Sequence, residues 1–409
     1  MRAVIIGTGP AGITAAETLR REDPSGSVVA LSTEPYAPYS PAAMADHFLT
    51  GRDDTLYWKG QNVAELRGID ERRESVVIGL DVDNREVVLH DDSRIPFEGL
   101  IIASGSKLNA PLEGADLPGI FDFKSLRMAD ELIGRVKRGE ARSALIVGNG
   151  FIGVELSLLL ADLGVDVTII GRRPWIMPRV LDTLTAAVAQ RGLIERGVKL
   201  HLGVEAEAFV GSPNVNSVRL NDGQLLEADL IVAATGVKPH IEFLHDSPIV
   251  TDWGIHVDDT LQTSETGIFA SGDVAEARDW LTGERFVHAI FPNAVAQGEI
   301  AASNLLGANL KYDGAEAMNS LKHLGIPIVA MGTIDAPDEV LRWESGSELR
   351  SVYLRDDTII GAQLAGNIRA AGVYRSLMLR RADVRSFGRG LVEPGFNIGN
   401  VLSDALVAR

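Results

Sequence analysis

Short apolar runs punctuated by glycine set the rhythm of this chain. Ala3–Ile6 is uninterrupted apolar sequence, as a strand buried on both faces of a parallel sheet requires. It runs through Gly7-Thr8-Gly9-Pro10-Ala11-Gly12 into a helical pattern over Ile13–Arg21, and a second apolar run follows at Ser27–Leu31. The same order returns at Ser143–Val147, Gly148-Asn149-Gly150-Phe151-Ile152-Gly153, a helix over Val154–Leu163 and a strand at Val165–Ile170. Alternation predicts an antiparallel meander over Val76–Leu80, Glu86–Leu89 and Ser93–Ile95, and another over Val198–Leu202, Ala206–Val210 and Ser217–Leu220. Each half then has a buried strand ending in small residues. Phe97–Ile102 runs into Ala103-Ser104-Gly105-Ser106, and Leu230–Ala234 into Thr235-Gly236. The two halves follow one plan.

Other segments fall between and after these. Pro35–Pro41 predicts a loop, laid over a ligand or simply solvated, before a short helix at Ala42–Leu49. Leu112–Gly119 reads as a crossover, Ser125–Arg138 as a helix, and Asp182–Arg196 as a long helix closed by Gly197. Ile268–Ala270 is a strand running into Ser271-Gly272-Asp273, and Pro292–Leu306 is a helix rich in small residues. From Tyr312 the texture changes to strands at Ile326–Thr333, Leu349–Leu354 and Thr358–Gln363 and a helix at Ile368–Arg380.

The glycines carry the chemistry. In each G-x-G-x-x-G the first permits a tight turn, the second lets backbone approach a pyrophosphate, and the third lets helix and strand pack closely. The helix N-terminus then offers free N–H groups and a positive dipole end to phosphate. Glu34, 22 residues after Gly12, stands where a carboxylate accepts ribose hydroxyls. Two such units predict two dinucleotides, and a flavin with a nicotinamide is the natural pair.

Composition removes alternatives. The net charge of −17 argues against nucleic acid or an anionic membrane as partner. There is no apolar run of about 18 residues to span a membrane. The first strand begins too early to leave room for a signal peptide, so a cytoplasmic protein is expected. With no cysteine, the chain has no disulfide, thiolate ligand or cysteine nucleophile. The eight histidines are scattered, and His47, His240, His245 and His288 read as structural or surface residues rather than ligands.

The order of these motifs resembles the pyridine nucleotide–disulfide oxidoreductases, in the branch of ferredoxin and rubredoxin reductases, NADH oxidases and nitrite reductase flavin domains. The resemblance rests on the two glycine units, Ala103–Ser106, Val154-Glu155, Ala234–Pro239, Ser271–Asp273 and Pro292–Gly298. It implies an α/β architecture of two Rossmann-like dinucleotide-binding domains plus a small α+β C-terminal domain. Residues 1–111 and 237–311 would bind FAD, 112–236 NAD(P), and 312–409 would form an interface domain. The implied FAD set is Gly7, Gly9, Pro10, Ala11, Gly12, Glu34, Ser104, Gly105, Gly272, Asp273, Pro292 and Asn293. Asp273 would bond the ribityl chain, and the helix from Pro292 would direct its dipole at the flavin. The implied NAD(P) set is Gly148, Asn149, Gly150, Phe151, Ile152, Gly153, Glu155, Arg172, Arg173 and Gly236. Glu155 matches a position near the nicotinamide.

Two departures from the family follow. The segment Tyr39–Met44, where many relatives keep a redox cysteine, has none. Gly171, followed by Arg172-Arg173, stands where NADH users carry an acid, which favours NADPH unless the arginines are merely solvated. The expected chemistry is hydride transfer between nicotinamide and flavin, with no catalytic side chain beyond the flavin except Glu155 as a candidate. An iron–sulfur protein or a redox-enzyme subunit is the expected partner. Arg369, Arg375, Arg380, Arg381, Arg385 and Arg389 form either a docking patch for it or a solvated basic face. A peroxide-forming NAD(P)H oxidase and a nucleotide-sensing flavoprotein are the alternatives. The apolar tail Val401–Val407 suits a subunit contact in a homo-oligomer.

Overall fold

A computed structural model describes residues 1–407. The chain forms two compact units. The first comprises Met1–Asn109, Lys124–Glu131 and Gly236–Glu316, and the second Ala110–Phe123, Leu132–Thr235 and the chain from Ala317 on.

A five-stranded parallel sheet forms the first unit's centre, in the order Ile268–Ala270, Gly99–Ile102, Arg2–Ile6, Ser27–Leu31, Asp70–Arg72. Ala3 to Ile6 are all buried, as a strand covered on both faces demands. Helices Pro10–Glu22 and Phe291–Leu305 lie against it, and against each other, through small residues. A Cβ on Gly298 would come 2.2 Å from the Ala11 carbonyl oxygen, so only glycine admits this closeness. The meander of this unit is Val77–Asp81, Glu86–Leu89 and Arg94–Pro96.

The second unit repeats the parallel sheet, in the order Lys199–Leu202, Asp166–Gly171, Ser143–Val147, Leu230–Ala233, Ile120–Phe121. This corrects one expectation. Val198–Leu202 is not a meander strand; Lys199–Leu202 pairs parallel with Asp166–Gly171 at the sheet's edge. Its half-exposed alternation resembles a meander strand's because edge strands are also only half covered. The meander's third strand is instead Leu225–Glu227. The unit also holds an antiparallel sheet in the order Met318–Leu321, Ile328–Gly332, Thr358–Ala365, Glu348–Arg355, Glu339–Ser345.

Asp182 joins that sheet to the nucleotide-type fold. Its Oδ1 accepts from the Thr185 amide (2.8 Å) and caps helix Thr183–Glu195. Its Oδ2 accepts from the Tyr353 hydroxyl (2.7 Å) and Arg342 (3.1 Å). The fully buried Gln363 takes the Asp182 amide (3.2 Å) and donates to the Val180 carbonyl (2.9 Å). Loss of such a cap alone costs about 1 kcal/mol. The C-terminal tail is helical over Ile398–Val407, with Leu402 exposed; the side chains expected to form its apolar face from residue 404 on lie outside the described residues.

Candidate functional site

Each unit presents a glycine cradle at the carboxyl end of its central strand, and the cradles share their construction. Gly7 holds φ +105°, and a Cβ there would lie 2.1 Å from the Ala103 carbonyl oxygen. Gly148 holds φ +128° and meets the Ala234 carbonyl oxygen at the same 2.1 Å. Cβ atoms on Gly12 and Gly153 would strike the carbonyl oxygens of Gly7 (1.9 Å) and Gly148 (2.1 Å). Gly9 and Gly150 face open space, with nothing within 4 Å. The outer glycines are thus demanded by packing, and the middle one leaves a void beside a helix start. Helices Pro10–Glu22 and Phe151–Asp162 begin there with extended N-cap glycines, no side-chain cap and no acid in the first turn. Their free N–H groups fit a pyrophosphate.

In the first unit the other FAD candidates converge. Asp273 Oδ2 accepts from the Ser106 hydroxyl (2.7 Å) and the Lys124 ammonium (2.8 Å). The peptide before it is fixed by Gln297, whose buried Oε1 accepts from the Gly272 amide (2.7 Å). Ser271 Oγ beside it is fully buried and has no hydrogen-bond partner among the described residues. Glu34 accepts from the Tyr39 hydroxyl at Oε2 (2.6 Å) and from the Arg127 amide at Oε1 (3.1 Å). Each carboxylate oxygen keeps a lone pair for a ribose hydroxyl. Burial first, then the Glu34 charge, holds the Tyr39 hydroxyl protonated well above its ordinary range. Helix Phe291–Leu305 starts without a side-chain cap, with Pro292 in its first turn.

Some candidates are committed elsewhere. The Asn293 side chain bonds the Glu316 backbone both ways (2.9 and 3.1 Å), which fixes its amide plane. The Ser104 hydroxyl donates to the His240 carbonyl (2.8 Å). Gly105 (φ +70°) and Gly236 (φ +125°) face open space.

In the second unit Phe151 is half-buried, and Ile152 is exposed at the helix start. Glu155 lies half-buried one turn further. Burial pushes its carboxyl up to about 7, against the opposing pull of the Lys322 charge. Arg172 lies 3.5 Å from Glu205, and Arg173 is exposed. Asn149 Nδ2 donates to the carbonyls of Trp175 (2.8 Å) and Arg173 (3.3 Å).

Sequence reasoning missed Lys124, Gln297, Tyr39 and Arg127. Lys124 reaches Asp273 across a sequence separation of 149, and no local pattern signals that. Tyr39 is one of two tyrosines in the proline-rich loop, and nothing in that loop names its target. Among the described residues no cluster of metal-ligating side chains occurs, and no helix is long and apolar enough to cross a membrane.

The model of the pyridine nucleotide-disulphide oxidoreductase family matches residues 1–298. An NADH oxidase of Methanocaldococcus jannaschii is 29% identical, over 91% of this chain and 89% of its own. A rubredoxin–NAD(+) reductase of Pseudomonas putida is 29% identical, over 84% of this chain and 93% of its own. The crystal structure of a ferredoxin reductase from Rhodopseudomonas palustris superposes with a TM-score of 0.88 at 23% identity, covering 98% of this chain and 99% of that one.

Proposed function

We propose, on the premise that this chain belongs to the pyridine nucleotide-disulphide oxidoreductase family, that it is an FAD-dependent NAD(P)H oxidoreductase delivering electrons to an iron–sulfur protein or a redox-enzyme partner. FAD, when bound, accepts hydride from the nicotinamide and releases electrons singly. The chain's own residues bind and orient. Gly7, Gly9, Gly12 and the first helix N-terminus take the FAD pyrophosphate, Glu34 its ribose, and Asp273, steadied by Ser106, Lys124 and Gln297, the ribityl chain. Gly148, Gly150 and Gly153 take the nucleotide pyrophosphate.

One observation carries the reading: the doubled cradle, with Gly9 and Gly150 both open beside uncapped helix starts. The absence of cysteine leaves the chain without a thiol of its own to relay electrons, so they leave from the flavin itself. The exposed Arg369, Arg380 and Arg389 carry no ion pair among the described residues and offer positive charge on an otherwise acidic chain. Arg385 does not contribute, being held by Asp383 and Asp357. Such positive charge suits an acidic iron–sulfur partner and sets encounter rate.

The test is steady-state NAD(P)H oxidation in air, with and without added oxidised rubredoxin or ferredoxin. Acceleration of at least about tenfold by the acceptor, falling as salt screens the pair, is expected. Turnover equal to peroxide formation and indifferent to acceptor would make the protein an oxidase instead. Tight nucleotide binding without turnover would make it a sensor.

A further inference from the structure

Strand register aligns the two glycine units residue by residue. In the first, Ile6 pairs with Leu31, and the Gly7 amide donates to the Leu31 carbonyl (2.8 Å). In the second, Val147 pairs with Ile170, and the Gly148 amide donates to the Ile170 carbonyl (2.9 Å). Thr8 therefore corresponds to Asn149, Ser32 to Gly171, and Glu34 to Arg173. Where the first unit presents a carboxylate, the second presents a guanidinium.

The local structure explains how. Asn149 is about nine-tenths buried, with 9% of its surface exposed. Besides its side-chain bonds to the Arg173 and Trp175 carbonyls, its own carbonyl accepts from the Met177 amide (2.7 Å). The loop after the second strand is thereby folded around one side chain. Gly171 has no left-handed backbone to justify a glycine. A Cβ there would lie 2.5 Å from Asn149 Cγ and 2.7 Å from its Cβ. The glycine exists because Asn149 occupies the space.

We infer that Asn149 is a specificity-determining positioning residue: it excludes any side chain at 171 and holds the backbone that presents Arg173, so that the site selects a nucleotide bearing a 2′-phosphate. A carboxylate at this strand end would accept the ribose hydroxyls of NADH and repel the phosphate, whereas a guanidinium pairs with the phosphate. Arg173 is exposed and without an ion pair among the described residues, so its charge is available, while Arg172 is shared with Glu205. The inference rests on the assignment of the second cradle to the nicotinamide nucleotide.

The test is anaerobic bleaching of the flavin band by NADPH and by NADH, read as half-saturating concentration, with thermal melting to confirm folding. The wild-type protein is expected to favour NADPH by at least about tenfold, the worth of one charged hydrogen bond. Asn149→Ala should weaken NADPH about tenfold and NADH less than about threefold. Gly171→Asp alone should bind both poorly, and Asn149→Gly with Gly171→Asp should recover NADH by about tenfold over that single variant. Wild-type preference for NADH, equal losses of both nucleotides in Asn149→Ala, or a single Gly171→Asp that matches the double variant overturns the inference. Failure of both nucleotides to bleach the wild-type protein overturns the cradle's assignment, and the inference with it.

Discussion

Gly150→Leu is expected to give a yellow, folded protein that NAD(P)H no longer reduces, and Gly9→Leu a folded protein that has lost its colour. The two glycines occupy the same place in their units. Each is an N-cap in extended backbone, at φ −63° and ψ −175° for Gly9 and φ −81° and ψ −173° for Gly150, which any residue adopts. Neither has an atom within 4 Å of a built Cβ, so the protein tolerates the side chain. Only a bound pyrophosphate competes with it. Losing the approach to several helix N–H groups at once should weaken binding by about 3 kcal/mol or more, over a hundredfold. Flavin content after gel filtration and the rate of bleaching by NAD(P)H read the two effects separately. Gly12→Ala is the contrast: its Cβ would strike the Gly7 carbonyl oxygen at 1.9 Å, and folding itself should suffer. If both leucine variants keep both functions, the cradles do not hold pyrophosphate.

Glu155→Gln is expected to stabilise the protein above neutral pH and to leave it unchanged in mild acid. Burial raises the folded carboxyl from its ordinary 4.5 to about 7, with Lys322 pulling the other way. Between those values the folded chain holds a proton that the unfolded chain has lost. Stability is therefore full below the unfolded value and falls as pH rises through the folded one. At about 1.4 kcal/mol per unit, the loss approaches ~3 kcal/mol by pH ~8. Thermal unfolding at pH ~4 and pH ~8.5 should show the variant and wild type melting together in acid and separating by several degrees in base. The same substitution should remove any inflection near neutrality in the rate of flavin bleaching. Parallel melting curves across the whole range would show that Glu155 does not ionise in a poorly solvated place.

What could be read from the sequence was what is local. The glycine units, their helices and the strands ending at Ser104-Gly105 and Thr235-Gly236 each follow from a few adjacent residues, and the structure sets them in two parallel sheets as expected. Elements held by sheet position rather than by pattern were lost. Lys199–Leu202 alternates as a meander strand would, yet lies parallel at an edge. Asp70–Arg72 and Glu339–Ser345 are polar edge strands with too little apolar sequence to announce themselves. The site divides in the same way. Gly9 and Gly150 were visible, whereas Lys124 on Asp273, Gln297 on Gly272 and the amides of the Leu126–Lys137 helix on Glu34 and Tyr39 depend on distant segments folding together. The space that makes Gly171 a glycine could not be seen without Asn149 beside it.

Whether the chain carries a flavin that nicotinamide nucleotide reduces is read by an anaerobic titration of the purified protein with NAD(P)H, with its FAD content determined after denaturation. About one FAD per chain and complete bleaching by about one equivalent of nucleotide are expected, the stoichiometry of a single hydride transfer. A colourless protein that takes up no FAD, or a flavin that excess nucleotide leaves oxidised, would contradict it.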